Sequence, residues 1–187
     1  MIVEIGTTRS VYTSRQSAIS SVMEMDAVEK SSETEMKHLQ QLAPEMFAML
    51  ERTGEQHLRL ICFRVCGYAV SHNRPLDPIA ELALESLGAT QSMWGEMLAD
   101  LESLMNRLDE EYFDAAERAD EIDDIAGRNQ LIAQSIDLFR KARAVAALRS
   151  TAGSNAFEAA SETIYEAAAS VADKDAVFEI VKHLLAS

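Results

Sequence analysis

Glu35-Met36-Lys37-His38 sets a carboxylate and an imidazole three residues apart on a stretch patterned as a helix, so both fall on one face. E-x-x-H is half the ligand set of a di-metal carboxylate bundle, whose complete form needs a second E-x-x-H and two more glutamates on facing helices. No second copy occurs in the 187 residues, and an exposed histidine accounts for the pair better than a metal site. Cys62 and Cys66, one helical turn apart, could hold a soft metal with a histidine from elsewhere. Without a second cysteine pair the spacing fits two buried thiols better. G-x-S-x-G, G-x-x-x-x-G-K and G-x-G-x-x-G runs are missing. No catalytic residue, metal ligand or cofactor is therefore assigned, and the chain reads as non-enzymatic; metal analysis of the purified protein tests the competing idea of a metal in the bundle.

The residues with the clearest spacing are acids. Between Asp109 and Asp124 stand nine carboxylates against one base, Arg118. Within that run Glu110, Asp114, Glu117, Glu121 and Asp124 recur at intervals of four, three, four and three, which aligns them along one helical face. Leu108, Tyr112, Ala115, Ala119 and Ile122 repeat the spacing on the opposite side. One side packs and the other is a row of negative charge. An antiparallel pairing about a turn at Gly127 to Asn129 would bring Asp114 level with Lys141, so that Arg140, Lys141 and Arg143 flank the start of the row. Two readings follow: a solvated face partly neutralised by its neighbour, or a binding surface for a basic partner.

Composition sets the frame for these residues. With 48% hydrophobic residues, seven Gly and three Pro, the chain favours long helices over a turn-rich β fold. A formal charge of -14 argues against nucleic acid or an anionic membrane as a partner, because phosphate binding needs clustered Lys and Arg. A basic protein is the natural complement. Two cysteines inside a helical pattern make no disulfide framework, and the start of the chain lacks signal-peptide order, so the expected compartment is the cytoplasm.

The expected fold is all-α: a single-domain bundle of about seven or eight helices over residues 1–187, built around a central apolar helix at His57 to His72. Residues 1–12 read as a frayed arm or a single edge strand, and Thr13 to Lys30 as a loosely patterned helix. Ser31 or Ser32 with Glu35 opens the next helix, which continues to Leu50 with a kink or boundary at Pro44, and Thr53-Gly54 ends it. Asp77-Pro78 starts a short helix that stops at Gly88, and Thr90 or Ser92 caps the longest one, closed by Gly127. Three more helices span Asn129 to Arg149, Ser154 to Val171 and Asp175 to Leu185. Met46, Met49, Met93, Met97 and Met105 recur at helical spacing as core fillers, and Trp94, one residue beyond the Met93/Met97 line, is the candidate exposed aromatic anchor.

A small, acidic, helical chain with an Ala-rich C-terminal stretch, SNAFEAASETIYEAAASVAD, resembles the helical immunity proteins that bacteria pair with antagonistic toxins. The likeness is one of general character and transfers no individual residue. It implies a tight complex with a cognate basic toxin whose active site the acidic surface occludes. The sequence thus points to a cytoplasmic binding protein or inhibitor using Glu110, Asp114, Glu117, Glu121, Asp124 and Trp94. The alternative is a structural or regulatory helical homodimer whose acids serve only solubility.

Overall fold

The computed structural model describes residues 38–187, apart from Pro75, residues 88–90, and the side chains of residues 91–94 and Glu96. The expectations for residues 1–12, for Thr13 to Lys30, for the Ser31/Ser32 cap and for Gly88 and Thr90 as helix signals lie outside these residues. Residues 38–187 form a compact unit of their own. The fold is all-α, with no strand among the described residues.

Pro44 acts as a helix boundary. The helical turn at 38–42 breaks at Ala43, whose φ of -148° and ψ of 69° leave the helical region, and α1 (Pro44–Leu50) restarts with proline at its first position. Gly54 then precedes α2 (Glu55–His72). Asp77 caps α3 (Pro78–Glu85), accepting the Ile79 N–H at 3.1 Å as the Asp-Pro pair predicts. α4 (Gln91–Glu121) and α5 (Ile125–Ser150) follow, then α6 (Ala156–Ser170) capped by Asn155 and α7 (Lys174–Leu185) capped by Asp173.

The helix expected at the centre is not buried on every side. α2 sends Leu58, Ile61, Cys62, Val65, Cys66, Ala69 and Val70 inward, but Leu60 and Phe63 remain 41% and 43% exposed, so only one face belongs to the core. Among the described residues the helix without an exposed residue is α6, which lies against α5, α2, α7 and α1. Ala159, Ala160, Ala167 and Ala168 are short enough for neighbouring backbones to approach from several directions, whereas the branched side chains of α2 hold neighbours off. Polar contacts lace the ends of α2 to those of α6. The Arg59 guanidinium donates to the carbonyls of Thr151, Gly153 and Ser154 at 2.8–3.1 Å, and Asn73 donates to Ala69 and Ser170 at 2.7 and 3.1 Å.

Met46 and Met97 fill the core and Met105 packs against it, while Met49 is 44% exposed. Cys62 and Cys66 are buried free thiols. Burial pushes the Cys62 thiol up to about 11 against a partial opposing pull from the Thr163 hydroxyl, and raises Cys66 well above its ordinary value.

Candidate interaction surface on the long hairpin

Length alone forces α4 and α5 to stand clear of the rest of the bundle. At 1.5 Å per residue, the 31 residues of α4 and 26 of α5 extend about 46 and 39 Å, against about 22 Å for the 15 residues of α6. α6 covers the later half of α5, where Ala142 and Ala144 to Leu148 are buried without a break. In the earlier half only Leu131, Ser135 and Leu138 are buried, on the line that faces α4. Among the described residues α4 packs chiefly on α5 and α3. Among the described residues the outer part of the hairpin is therefore two helices thick and one layer deep.

The turn comes earlier than the sequence suggests. α4 ends at Glu121, and Gly127 does not close it but sits in the first turn of α5. Asp124 caps that turn: its carboxylate accepts the Gly127 N–H at 2.7 Å, and the Arg128 side chain donates to the Ile122 carbonyl at 2.8 and 3.1 Å. A Cβ on residue 127 would stand 3.1 Å from Asp124 Oδ2, a close fit that glycine relieves. Asp124 thus leaves the helical row and becomes part of the loop, because the capping bond satisfies an otherwise unpaired amide at the α5 N-terminus.

Moving the turn shifts the pairing register by about one helical turn. Arg143 donates to both oxygens of Asp109 at 2.7 and 2.9 Å, and the Tyr112 and Phe139 rings lie 5.6 Å apart, so residue 109 stands level with 143 and 112 with 139. Asp114 is accordingly not level with Lys141, which pairs with Asp137 of its own helix at 2.8 Å. Arg143 is held by Asp109 and Glu166 rather than by the row. The expected neutralisation by Arg140, Lys141 and Arg143 does not form: Glu110, Asp114, Glu117 and Glu121 are exposed and make no salt bridge among the described residues. Successive members of the row stand about 5 to 6 Å apart, within one Debye length at physiological salt, so their fields overlap and the four act as one patch.

Two features of the surface escape the sequence reading. Phe113 is 65% exposed, three residues after Glu110 and four before Glu117, so a large ring stands beside the carboxylate row. On α5, Ile125, Ile132 and Ile136 are 72%, 42% and 44% exposed and, with half-buried Phe139, recur at intervals of seven, four and three along one stripe. Their signal was present in the spacing. It is masked because Phe113 adjoins Tyr112, which packs, and because isoleucines in a helix read by default as core.

Phe113 and the isoleucines share one flank. Arg143 joins Asp109 on that side and lies over the Phe139 ring at 5.5 Å, Tyr112 meets Phe139 there, and the Phe113 ring continues outward from Tyr112 at 4.8 Å. In this register Ala116 comes level with Ile136 and Asp120 with Ile132. Trp94 is elsewhere: it belongs to the first turn of α4, about 24 Å of helix rise from Glu110, and its side chain lies outside the described residues.

A separate open groove of about 770 Å³ runs between α2 and α7, lined by Phe63, Gly67, Tyr68, Ile180 and Leu184 together with Arg64, Ser71, Glu179 and His183. Of the E-x-x-H pair, Glu35 is outside the described residues and the His38 ring lies 5.1 Å from Tyr165. No three His, Cys, Asp or Glu side chains converge among the described residues, and none of the described helices is long and apolar enough to cross a membrane. No protein-family model, curated protein or solved structure matches this chain.

Proposed function

We propose that this is a non-enzymatic, cytoplasmic binding protein or inhibitor that holds a basic protein partner against α4, and that the partner is a toxin of the kind helical immunity proteins neutralise. The observation that carries the reading is the row Glu110, Asp114, Glu117 and Glu121, exposed and free of internal ion pairs among the described residues. An uncommitted row of one sign steers an oppositely charged partner and speeds encounter, while an exposed ring such as Phe113 supplies the contact that slows release. Asp124 belongs to the helix cap and takes no direct part.

The test is capture from the native cell at low and high salt with the wild-type chain and with Glu117→Lys/Glu121→Lys. The expected partner is held at low salt by the wild type, weakened at high salt and lost by the charge-reversed chain. Equal capture by both chains at both salt concentrations refutes this use of the row.

A homodimer is the second reading, favoured by the exposed Ile132 and Ile136. Sedimentation of the purified chain separates the two: a monomer supports the binding protein, an obligate dimer the structural one.

A further inference from the structure

The stripe of Ile125, Ile132, Ile136 and Phe139 on α5, widened by Phe113 of α4, is an apolar flank that no other helix covers in the described residues. Four of its members rank among the large hydrophobic side chains most open to water, and α6 and α7 lie against other parts of the bundle. Solvent contact on this scale, collected on one side of one hairpin, marks an interaction surface rather than scattered surface residues.

Charge decides what fits there. Along the α4 edge of the flank run Glu110, Asp114, Glu117 and Glu121, and Asp120 stands level with Ile132. Arg143 is already engaged by Asp109 and Glu166, and Arg140, next to Phe139, marks the body end where the negative edge gives way. A second copy would bring its own carboxylate row into the same interface, from a chain of net charge -14. Like charges facing one another across an interface oppose that pairing. A helix with one apolar stripe and a Lys/Arg edge meets both halves of the surface. From Ile125 to Phe139 the flank is about 21 Å long, the length of four helical turns.

We infer that the flank formed by Phe113, Ile125, Ile132, Ile136 and Phe139 docks a cationic amphipathic helix, about 14 residues long, whose basic edge lies on the α4 carboxylate row. This rests on the proposed use of the row and adds the form of the recognised segment. The binding mode is a helix laid along a groove between two others, with anchors at i, i+3/i+4 and i+7.

The experiment uses the full chain and two labelled synthetic peptides of about 18 residues, one a Leu/Lys amphipathic helix and the other the same composition shuffled to break the period. Fluorescence anisotropy at about 50 and 300 mM salt compares wild type, Ile132→Ser/Ile136→Ser and Glu117→Lys/Glu121→Lys, each checked for helix content by circular dichroism. Wild type is expected to bind the amphipathic peptide at least about tenfold tighter than the shuffled one. The serine variant loses that preference and keeps the salt-dependent part, while the lysine variant loses both. Equal binding of the two peptides by wild type, an unchanged preference in the serine variant, or no binding of either peptide overturns the inference. The role of the row is judged separately: it stands if the lysine variant still weakens both peptides, and falls if that variant binds as wild type does. A wild-type dimer dispersed by the serine substitutions assigns the flank to a second copy and also overturns it.

Discussion

Arg143 Nη2 bridges both carboxylate oxygens of Asp109 at 2.9 and 2.7 Å, and this pair marks the register of the α4–α5 hairpin. The same guanidinium reaches Glu166 of α6 at 3.4 Å and covers the Phe139 ring, so one residue ties the hairpin to the bundle. Replacing it with methionine keeps the apolar stem but removes the ion pairs to the half-buried Asp109 and Glu166. Arg143→Met is expected to cost about 2 kcal/mol, below the 3–5 of a fully buried pair because both side chains keep some water contact. Urea denaturation checks this, and a change under about 0.5 kcal/mol would contradict the role of Arg143 in tying the hairpin to the bundle.

Asp124 and Glu117 are close in sequence but differ in role. Asp124→Ala removes the cap of α5 and is expected to lower stability by about 1 kcal/mol. Glu117→Lys removes like-charge neighbours at 114 and 121 from an exposed face, so stability stays within about 0.5 kcal/mol or rises. Thermal melts of the two variants in one buffer give the comparison, and equal losses would contradict the separation of cap from row.

Asp77 carries a pH dependence. The Ile79 N–H and the Arg107 guanidinium, 2.9 Å away, hold its carboxyl below the ordinary 3.8. A carboxyl with a lowered folded-state pKa contributes stability above its unfolded value and loses it as pH falls through the folded one. Wild type should therefore exceed Asp77→Ala by about 1 kcal/mol near neutral pH, with the gap shrinking only below the ordinary 3.8. Denaturation at neutral and strongly acidic pH measures it; a gap that grows on acidification would reverse the sign.

The two thiols should be inert in the folded chain. With Cys62 raised to about 11, only about one molecule in a thousand carries its thiolate at pH 8. Cys66, wholly buried, should react more slowly still. A thiol reagent is expected to label neither residue until denaturant is added and then to label both. Rapid labelling without denaturant would place one of them at the surface.

Local chemistry was legible from residue order. The Asp77-Pro78 helix start, the proline boundary at 44, the all-α class and the packed line Leu108, Tyr112, Ala115, Ala119 all depend on neighbours within a turn or two, where spacing and capping chemistry govern. Which helix lies innermost did not follow from the apolar run at 57–72, because burial on several sides rewards the short side chains of α6 over the bulky ones of α2. Nor did the register of α4 on α5, since moving the turn from Gly127 to the Asp124 cap slides every cross-helix pair by a turn and gives Arg143 to Asp109 instead of to the row. The carboxylate row is written in the chain; its lack of internal partners and the apolar flank beside it arise only when two helices outreach the bundle that covers their bases.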